Sequence, residues 1–245
     1  LINSIDGNTT GNIDASSVAT FSGNASDINT AYASSGISGL ENSEITISDT
    51  TINASLINSI DGNTTGNIDA SSVTTFSGNA SDINTAYASS GISGLGNEEI
   101  TINDTTIDVS LLNILDKNTT ANVNASNLNV LIGNGEDALI AFNSIGISGL
   151  TFDNLNYLAS YGDLLTAFGS DISAARAHYF TDGISEGRSF DSFDEASYLA
   201  SHEDLLTTFG ANSTSALLHY VETGYSEGRS KDSFDEWWSF ILGSI

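Results

Sequence analysis

Cysteine, methionine and proline are absent from all 245 residues. Without cysteine the chain has neither a disulfide framework nor a thiolate metal site. Without methionine it lacks the other readily oxidised side chain, a pattern that suits an exposed, extracellular setting. Basic residues are nearly missing too: five Lys and Arg stand against 31 Asp and Glu, for a formal charge of −26, and none precedes Lys117. Nucleic-acid binding needs cations to neutralise phosphates, so this balance argues strongly against such a partner, and anionic membrane surfaces are disfavoured for the same reason. The acidity favours solubility, cation binding and high ionic strength, where screening removes most self-repulsion. No apolar run is long enough to span a membrane, and no charged segment followed by an apolar one opens the chain. Leu1 stands in place of an initiator Met and coincides with a repeat boundary, which leads to the expectation of a longer parent chain. Ser-His-Asp, Walker, dinucleotide and HExxH patterns are absent, so an enzyme is not expected.

What the chain does have is repetition. Residues 1–55 and 56–110 agree at 49 of 55 positions, differing at Ala19/Thr74, Glu41/Gly96, Ser43/Glu98, Ser48/Asn103, Asn53/Asp108 and Ala54/Val109. A third, decayed copy runs from Leu111 to the ISGL of 147–150. A period of this size marks stacked units that cover one another's apolar faces. From Phe152 the period becomes 41: 152–192 matches 193–233 at 23 positions, and FDEWW at 234–238 opens a third start. The expected organisation is therefore two regions. Residues 1–150 carry three tandem repeats of period 55, the third partial, and residues 151–245 carry two 41-residue repeats plus a truncated start.

Within the first unit, EITISD at 44–49 alternates Ile45 and Ile47 with Thr46 and Ser48, the period of a half-buried strand. Ile52, Leu56 and Ile60, four apart, predict a following helix with Asp49, Thr50 or Thr51 as its cap. SSVATFSG at 16–23 reads as a second strand. NASDINTAYASSG at 24–36 reads as a second helix, with Asn24 as cap, Asp27 in the capping-box place and Ile28, Ala31, Tyr32 and Ser35 at helical spacing. GISGL at 36–40 reads as a turn. Each unit is thus two strand-helix segments, and stacking them predicts a parallel ladder with helices on one side. A mostly-β arrangement would accommodate many of the same residues. The 41-residue units read as all-helical, two or three short helices each. Capping boxes are expected at Ser192/Glu195 and Ser233/Glu236, with the Asp form at Ser160/Asp163 and Ser201/Asp204. Tyr198, Leu199, Leu205, Leu206, Phe209, Ala216, Leu217, Tyr220 and Val221 supply the apolar stripe. The fold class expected is mixed, with N-terminal strand-helix solenoid-like repeats and C-terminal all-α repeats.

DGNTTGNIDASS is the motif closest to known chemistry. Laid on an EF-hand calcium loop it offers Asp6, Asn8, Thr10, Gly11, the Asn12 carbonyl, Ile13 and Asp14, and again Asp61, Asn63, Thr65, Gly66, Asn67 and Asp69. Ser17 occupies the place of the bidentate Glu, so at best a weak calcium site of about 10⁻⁴ to 10⁻³ M is expected. In the third copy Asp116 remains, while Ala121 and Asn124 replace Gly66 and Asp69. The alternative is an Asx turn and helix stop that holds no ion. Calcium is the one cofactor candidate.

A second motif, HY followed by GxxEGR, places His178, Tyr179, Gly183, Glu186, Gly187 and Arg188 in one unit and His219, Tyr220, Gly224, Glu227, Gly228 and Arg229 in the next. It reads either as a metal or acid-base site or as a packed helix end, with Gly183 and Gly224 as C-caps and Arg-Glu pairs tying adjacent units. Arg176 stands where the second unit has Leu217. N-x-S/T sequons recur at Asn8, Asn24, Asn53, Asn63, Asn79, Asn118 and Asn212, and would carry glycans only in a host with a matching transferase. WWSFILGSI at 237–245 reads either as a C-terminal export signal or as the opening helix of the truncated unit.

The run at 64–106, TTGNIDASSVTTFSGNASDINTAYASSGISGLGNEEITINDTT, resembles tandem repeats of very large surface and secreted proteins of marine cyanobacteria. The FDxxxYLAS…DLxxAFG…HYxxxGxxEGR pattern is similar to a repeat of secreted bacterial proteins, often found beside calcium-binding nonapeptides, although GGxGxDxUx itself is absent here. These resemblances cover nearly all the chain and imply an extracellular or cell-surface array with an adhesive, matrix or motility-related role. The expected function is a non-enzymatic structural or adhesive spacer stiffened by weak calcium binding. The alternative is a glycan- or protein-binding module, for which Trp237 and Trp238 would be contacts. Self-association through repeat stacking is also expected, because neither end carries an obvious polar cap.

Overall fold

The computed structural model describes residues 1–231. By contacts the chain divides into two compact units, Leu1–Leu128 with Ile140–Leu150, and Asn129–Leu139 with the described residues from Thr151. The sequence places its change of period near 150, whereas the stretch 129–139 groups with the second unit.

In chain order the first part supplies α1 (Ile2–Asp6), β1 (Ile13–Asp14), β2 (Thr20–Gly23), α2 (Ala25–Ala33), β3 (Ile37–Ser38), β4 (Glu44–Ile47), β5 (Thr51–Asn53) and α3 (Ala54–Asp61). There follow β6 (Ile68–Asp69), β7 (Thr75–Gly78), α4 (Ala80–Ala88), β8 (Ile92–Ser93), β9 (Glu99–Ile102), β10 (Thr106–Asp108) and α5 (Val109–Asn118). The third copy adds β11 (Val123–Asn124), β12 (Val130–Ile132), α6 (Gly135–Asn143) and β13 (Ile147–Ser148). The architecture is mixed α/β with parallel ladders. Each 55-residue copy holds more than two strands, because GISGL and the end of DGNTTGNID each contribute a two-residue strand as well as a turn.

Strand partners lie 23 or 24 residues apart, not 55. Two 24-residue steps leave seven residues of each 55-residue copy over, so consecutive strands of a ladder come from different places in the copy. The ladder β5-β7-β9-β11-β13 stacks Ile52, Phe76, Ile100, Val123 and Ile147 in register. All five are buried. The ladder β2-β4-β6-β8 stacks Phe21, Ile45, Ile68 and Ile92 in the same way. A parallel ladder asks only that each strand present an apolar side chain inward, and each such Ile or Phe stabilises by about 1.5–3 kcal/mol.

The helices pack in succession, α2 on α3, α3 on α4 and α4 on α5. Asn24 caps α2, its side chain accepting the Asp27 N–H as expected. The helix after β4 differs from expectation. Ile52 belongs to β5, the buried face of α3 is Ala54, Ile57 and Ile60 in place of Leu56, and the cap is Asn53. Asp49 instead reaches back one coil to accept the Ala25 N–H at 2.6 Å, and Asp104 does the same for Ala80 at 2.7 Å. Each of these acids therefore caps a helix it does not belong to in sequence.

The 41-residue units form α7 (Asn154–Ser160), α8 (Gly162–Phe168), α9 (Ile172–His178) and a π turn at Tyr179–Gly183, then α10 (Glu195–Ala200), α11 (Glu203–Phe209), α12 (Ser213–His219) and a π turn at Tyr220–Gly224. Their caps are Asp153 and Asp194, each accepting backbone N–H groups at a helix start. Ser192 does not cap. Ser160 and Ser201 lie at helix ends and bond back to Asn156 and Ser197. The Ser233/Glu236 pair, Trp237, Trp238 and the rest of the apolar tail lie outside the described residues.

Candidate functional site

The DGNTTGNID loops are where the sequence concentrates its polar chemistry, and the structure gives almost every one of their side chains a specific partner. Asp6, Asp61 and Asp116 each accept a hydrogen bond from a serine hydroxyl one coil on: Ser34 at 2.6 Å, Ser89 at 2.8 Å and Ser144 at 2.7 Å. The same serine oxygen accepts the N–H of Gly36, Gly91 or Gly146. A Cβ there would lie 2.2–2.4 Å from the carboxylate oxygen and push it off its serine. Asn8 and Asn63 turn back to donate to the carbonyls of Ser4 and Ser59, closing their helices. Thr65 donates to Asn42, and Thr10 is exposed.

The side chains of Asn12, Asn67 and Asn122 donate to Ser38, Ser93 and Ser148 on the adjacent strand at 3.0, 2.9 and 2.7 Å. Asp14 and Asp69 form the Asx turn, accepting the N–H of Ser16 and Ser71 at 3.0 Å. The Ser16 and Ser71 hydroxyls, then their N–H groups, hold both carboxyls below the usual range. Among the described residues no group of three or more His, Cys, Asp or Glu is placed to hold a metal. Asp6 faces the next coil while Asp14 closes its own turn, so the two carboxylates serve different loops.

No protein-family model, curated protein or solved structure matches the chain. The arrangement must therefore be judged on its own geometry. The third copy is the most informative, because Asn124 keeps the Asx turn without charge, accepting the Ser126 N–H at 3.1 Å, and Asp116 keeps its serine. The Asx turn persists where one proposed ion ligand, Asp69, has become the uncharged Asn124. Sequence reasoning missed the serine-glycine partner, yet the signal was there: Asp, Ser and Gly recur unchanged at this spacing in all three copies. Replacing Asp61 by Ala should lower stability by about 1.5–3 kcal/mol, the value of a charge-assisted hydrogen bond. Thermal melts with millimolar calcium and with chelator should show the same loss, and a calcium-dependent rise abolished by Asp6→Ala plus Asp61→Ala would establish the ion site instead.

In the helical region the HY…GxxEGR residues do come together, but inside each unit. Tyr157 and His178 meet through the hydroxyl and Nδ1 at 2.9 Å, and Tyr198 and His219 at 2.8 Å. Both tyrosine rings are fully buried, and burial pushes the Tyr198 hydroxyl up to about 12. Gly183 and Gly224 are not C-caps. They end the π turns, where a Cβ would lie 2.4 and 2.3 Å from these hydroxyls, and the left-handed glycines are Gly187 and Gly228.

Arg188 grips Asp163 with two hydrogen bonds, at 3.0 and 2.8 Å, and also pairs with Glu186. Arg229 repeats this with Asp204 and Glu227. The ion pairs therefore lie within a unit. Adjacent units are tied instead by Asn156 to the Phe193 backbone, Tyr225 to the Gly162 carbonyl at 2.7 Å and Lys231 to the Ser160 carbonyl at 2.9 Å. Arg176 lies over the Phe180 ring, which accounts for its departure from Leu217. Several sequon asparagines are helix caps, Asn24, Asn53 and Asn212 accepting backbone N–H groups. Capping gives them a structural reason to recur beside Ser and Thr.

Proposed function

We propose that the chain is a non-enzymatic spacer and display element of an extracellular or cell-surface protein, its first region a solenoid of period 55 and its second an array of 41-residue helical units. The observation that carries this is the fate of the polar side chains. Asp6, Asn12, Asp49 and their counterparts all spend their bonding capacity on the neighbouring coil, which is how a rod is stiffened and leaves little reactive chemistry unassigned. On this reading hydrogen-bonded clamps between coils set the rigidity, and the acidity keeps a repetitive surface soluble. The resemblance to secreted bacterial arrays and the lack of cysteine and methionine support the location.

A solenoid lengthens by a fixed small step. Each inserted copy of 56–110 adds two strand steps, so small-angle scattering on chains with one, two and three extra copies should show the maximum dimension growing linearly by about 10 Å per copy. Growth of about 25 Å per copy, the diameter of a separate 55-residue globule, would rule the solenoid out.

A further inference from the structure

The two 41-residue units are built alike, yet one apolar face is covered in the first and, among the described residues, bare in the second. In the first unit Ala159 of α7 and Leu165 of α8 are 1% and 5% exposed. From the second unit, α12 and its following π turn pack on α7. At the matching positions of the second unit, Ala200 is exposed and Leu206, expected in the core stripe, is 48% exposed. Together with Ala196, Leu199, Ala211 and Ser213 they line an apolar hollow of about 250 Å³ between α10, α11 and the start of α12. A hollow of this kind, on elements whose twins are buried, has the lining of an interface.

We propose that this face is a docking surface for a further 41-residue unit of the same type, seated through its third helix and π turn as the second unit is seated on the first. The inference goes beyond the spacer reading, because it concerns how helical units recognise one another. It also defines which unit fits. In the existing contact Tyr225 lies against Gly162, where a Cβ would come 3.1 Å from the ring. The second unit has Glu203 in place of Gly162, so an incoming aromatic at the Tyr225 position would meet a side chain. A unit with Ile there, as the first has Ile184, meets none. The seat is thus selective for units of the first type.

The experiment extends the full chain so that Phe234 opens a complete further unit copied from 152–192, and compares it with the unextended chain by hydrogen exchange and thermal melting. Amides of α10 and α11 should exchange at least tenfold more slowly in the extended chain. Leu206→Asp, or Ala200→Glu as an independent variant, should abolish that gain and lower the melting point of the extended chain by roughly 5 °C while leaving the unextended chain unchanged. An extension copied from 193–233, with Tyr at the critical position, should protect less. Unchanged exchange on extension would overturn the proposal. So would an equal loss from Leu206→Asp in both chains, which would mean that residues 232–245 already cover the face. Sedimentation showing an unextended dimer dissolved by Leu206→Asp would overturn it in favour of a second copy of the chain.

Discussion

Replacing Gly94 by Ala should destabilise the first region by about 2–5 kcal/mol, among the largest effects expected of a single methyl group. Two causes add. Gly94 has φ +85°, in the left-handed region, where an L side chain costs about 1–2 kcal/mol. Its Cβ would also lie 2.6 Å from the Ser71 nitrogen and 2.8 Å from the Ser71 Cα. That backbone has no freedom to retreat, since the Ser71 N–H is held by Asp69 and the Ala70 N–H by the Ser93 carbonyl. Overpacking of this kind adds about 1–3 kcal/mol. Gly187→Ala is the control: its φ is +68° but nothing lies within 4 Å of the added atom, so only the conformational cost applies. Urea midpoints of the two variants decide the matter. Equal losses would mean that the close approach between coils contributes nothing.

Glu98→Ala should cost a similar amount, about 3–5 kcal/mol, although the residue it removes is acidic in a chain already rich in acid. Glu98 is fully buried. Its carboxylate accepts the N–H groups of Gly96, at 2.9 Å, and Asn97, at 3.0 Å, together with the Tyr87 hydroxyl. Burial, and then the Glu98 carboxylate, drive the ionisation of Tyr87 far above the ordinary tyrosine range. Truncation leaves three donors, two of them half-buried, without this acceptor.

The first copy solves the same turn differently. Ser43 donates to the Val18 carbonyl, and the turn passes so close to Gly66 that a Cβ there would meet the Ser43 carbonyl oxygen at 2.2 Å. One coil beyond Glu98, the counterpart of Gly66 is Ala121. Positions 41, 43 and 66 thus change together to 96, 98 and 121, and the substitutions that look like decay are coupled. Glu98→Ser alone should be as harmful as Glu98→Ala, whereas Glu98→Ser with Gly96→Glu and Ala121→Gly should recover most of the loss. Strict additivity of the three in denaturant melts would sink the coupling.

Much of the local structure was legible. The cap and face of α2 are written within ten residues, and the alternation of Ile45 and Ile47 places β4 correctly. The cap at Asp194 is missed because Ser192, two residues earlier, has the capping-box spacing to Glu195, and Asp153 has no acid three residues on to mark it. The polar loop residues were legible as a group but not as a set of contacts. Asp6 and Asn8 look like calcium ligands by offset alone, and only their distances to Ser34 and Ser4 show what they bond.

The sequence by itself determined which segments are helix and strand in outline, that the chain is built of copies, and that it carries a strongly negative charge. These depend on short-range periodicity, side chains that cap their own turns, and composition. Tertiary structure alone decided which segments are neighbours. Identity repeats at 55, but a parallel ladder pairs any strand with another whose inward residue is apolar, so Ile52, Phe76, Ile100, Val123 and Ile147 stack although no two of them are the same position of the copy. It also decided where glycine is obligatory, because a close approach between coils depends on the distance between two backbones and leaves no mark on either sequence alone.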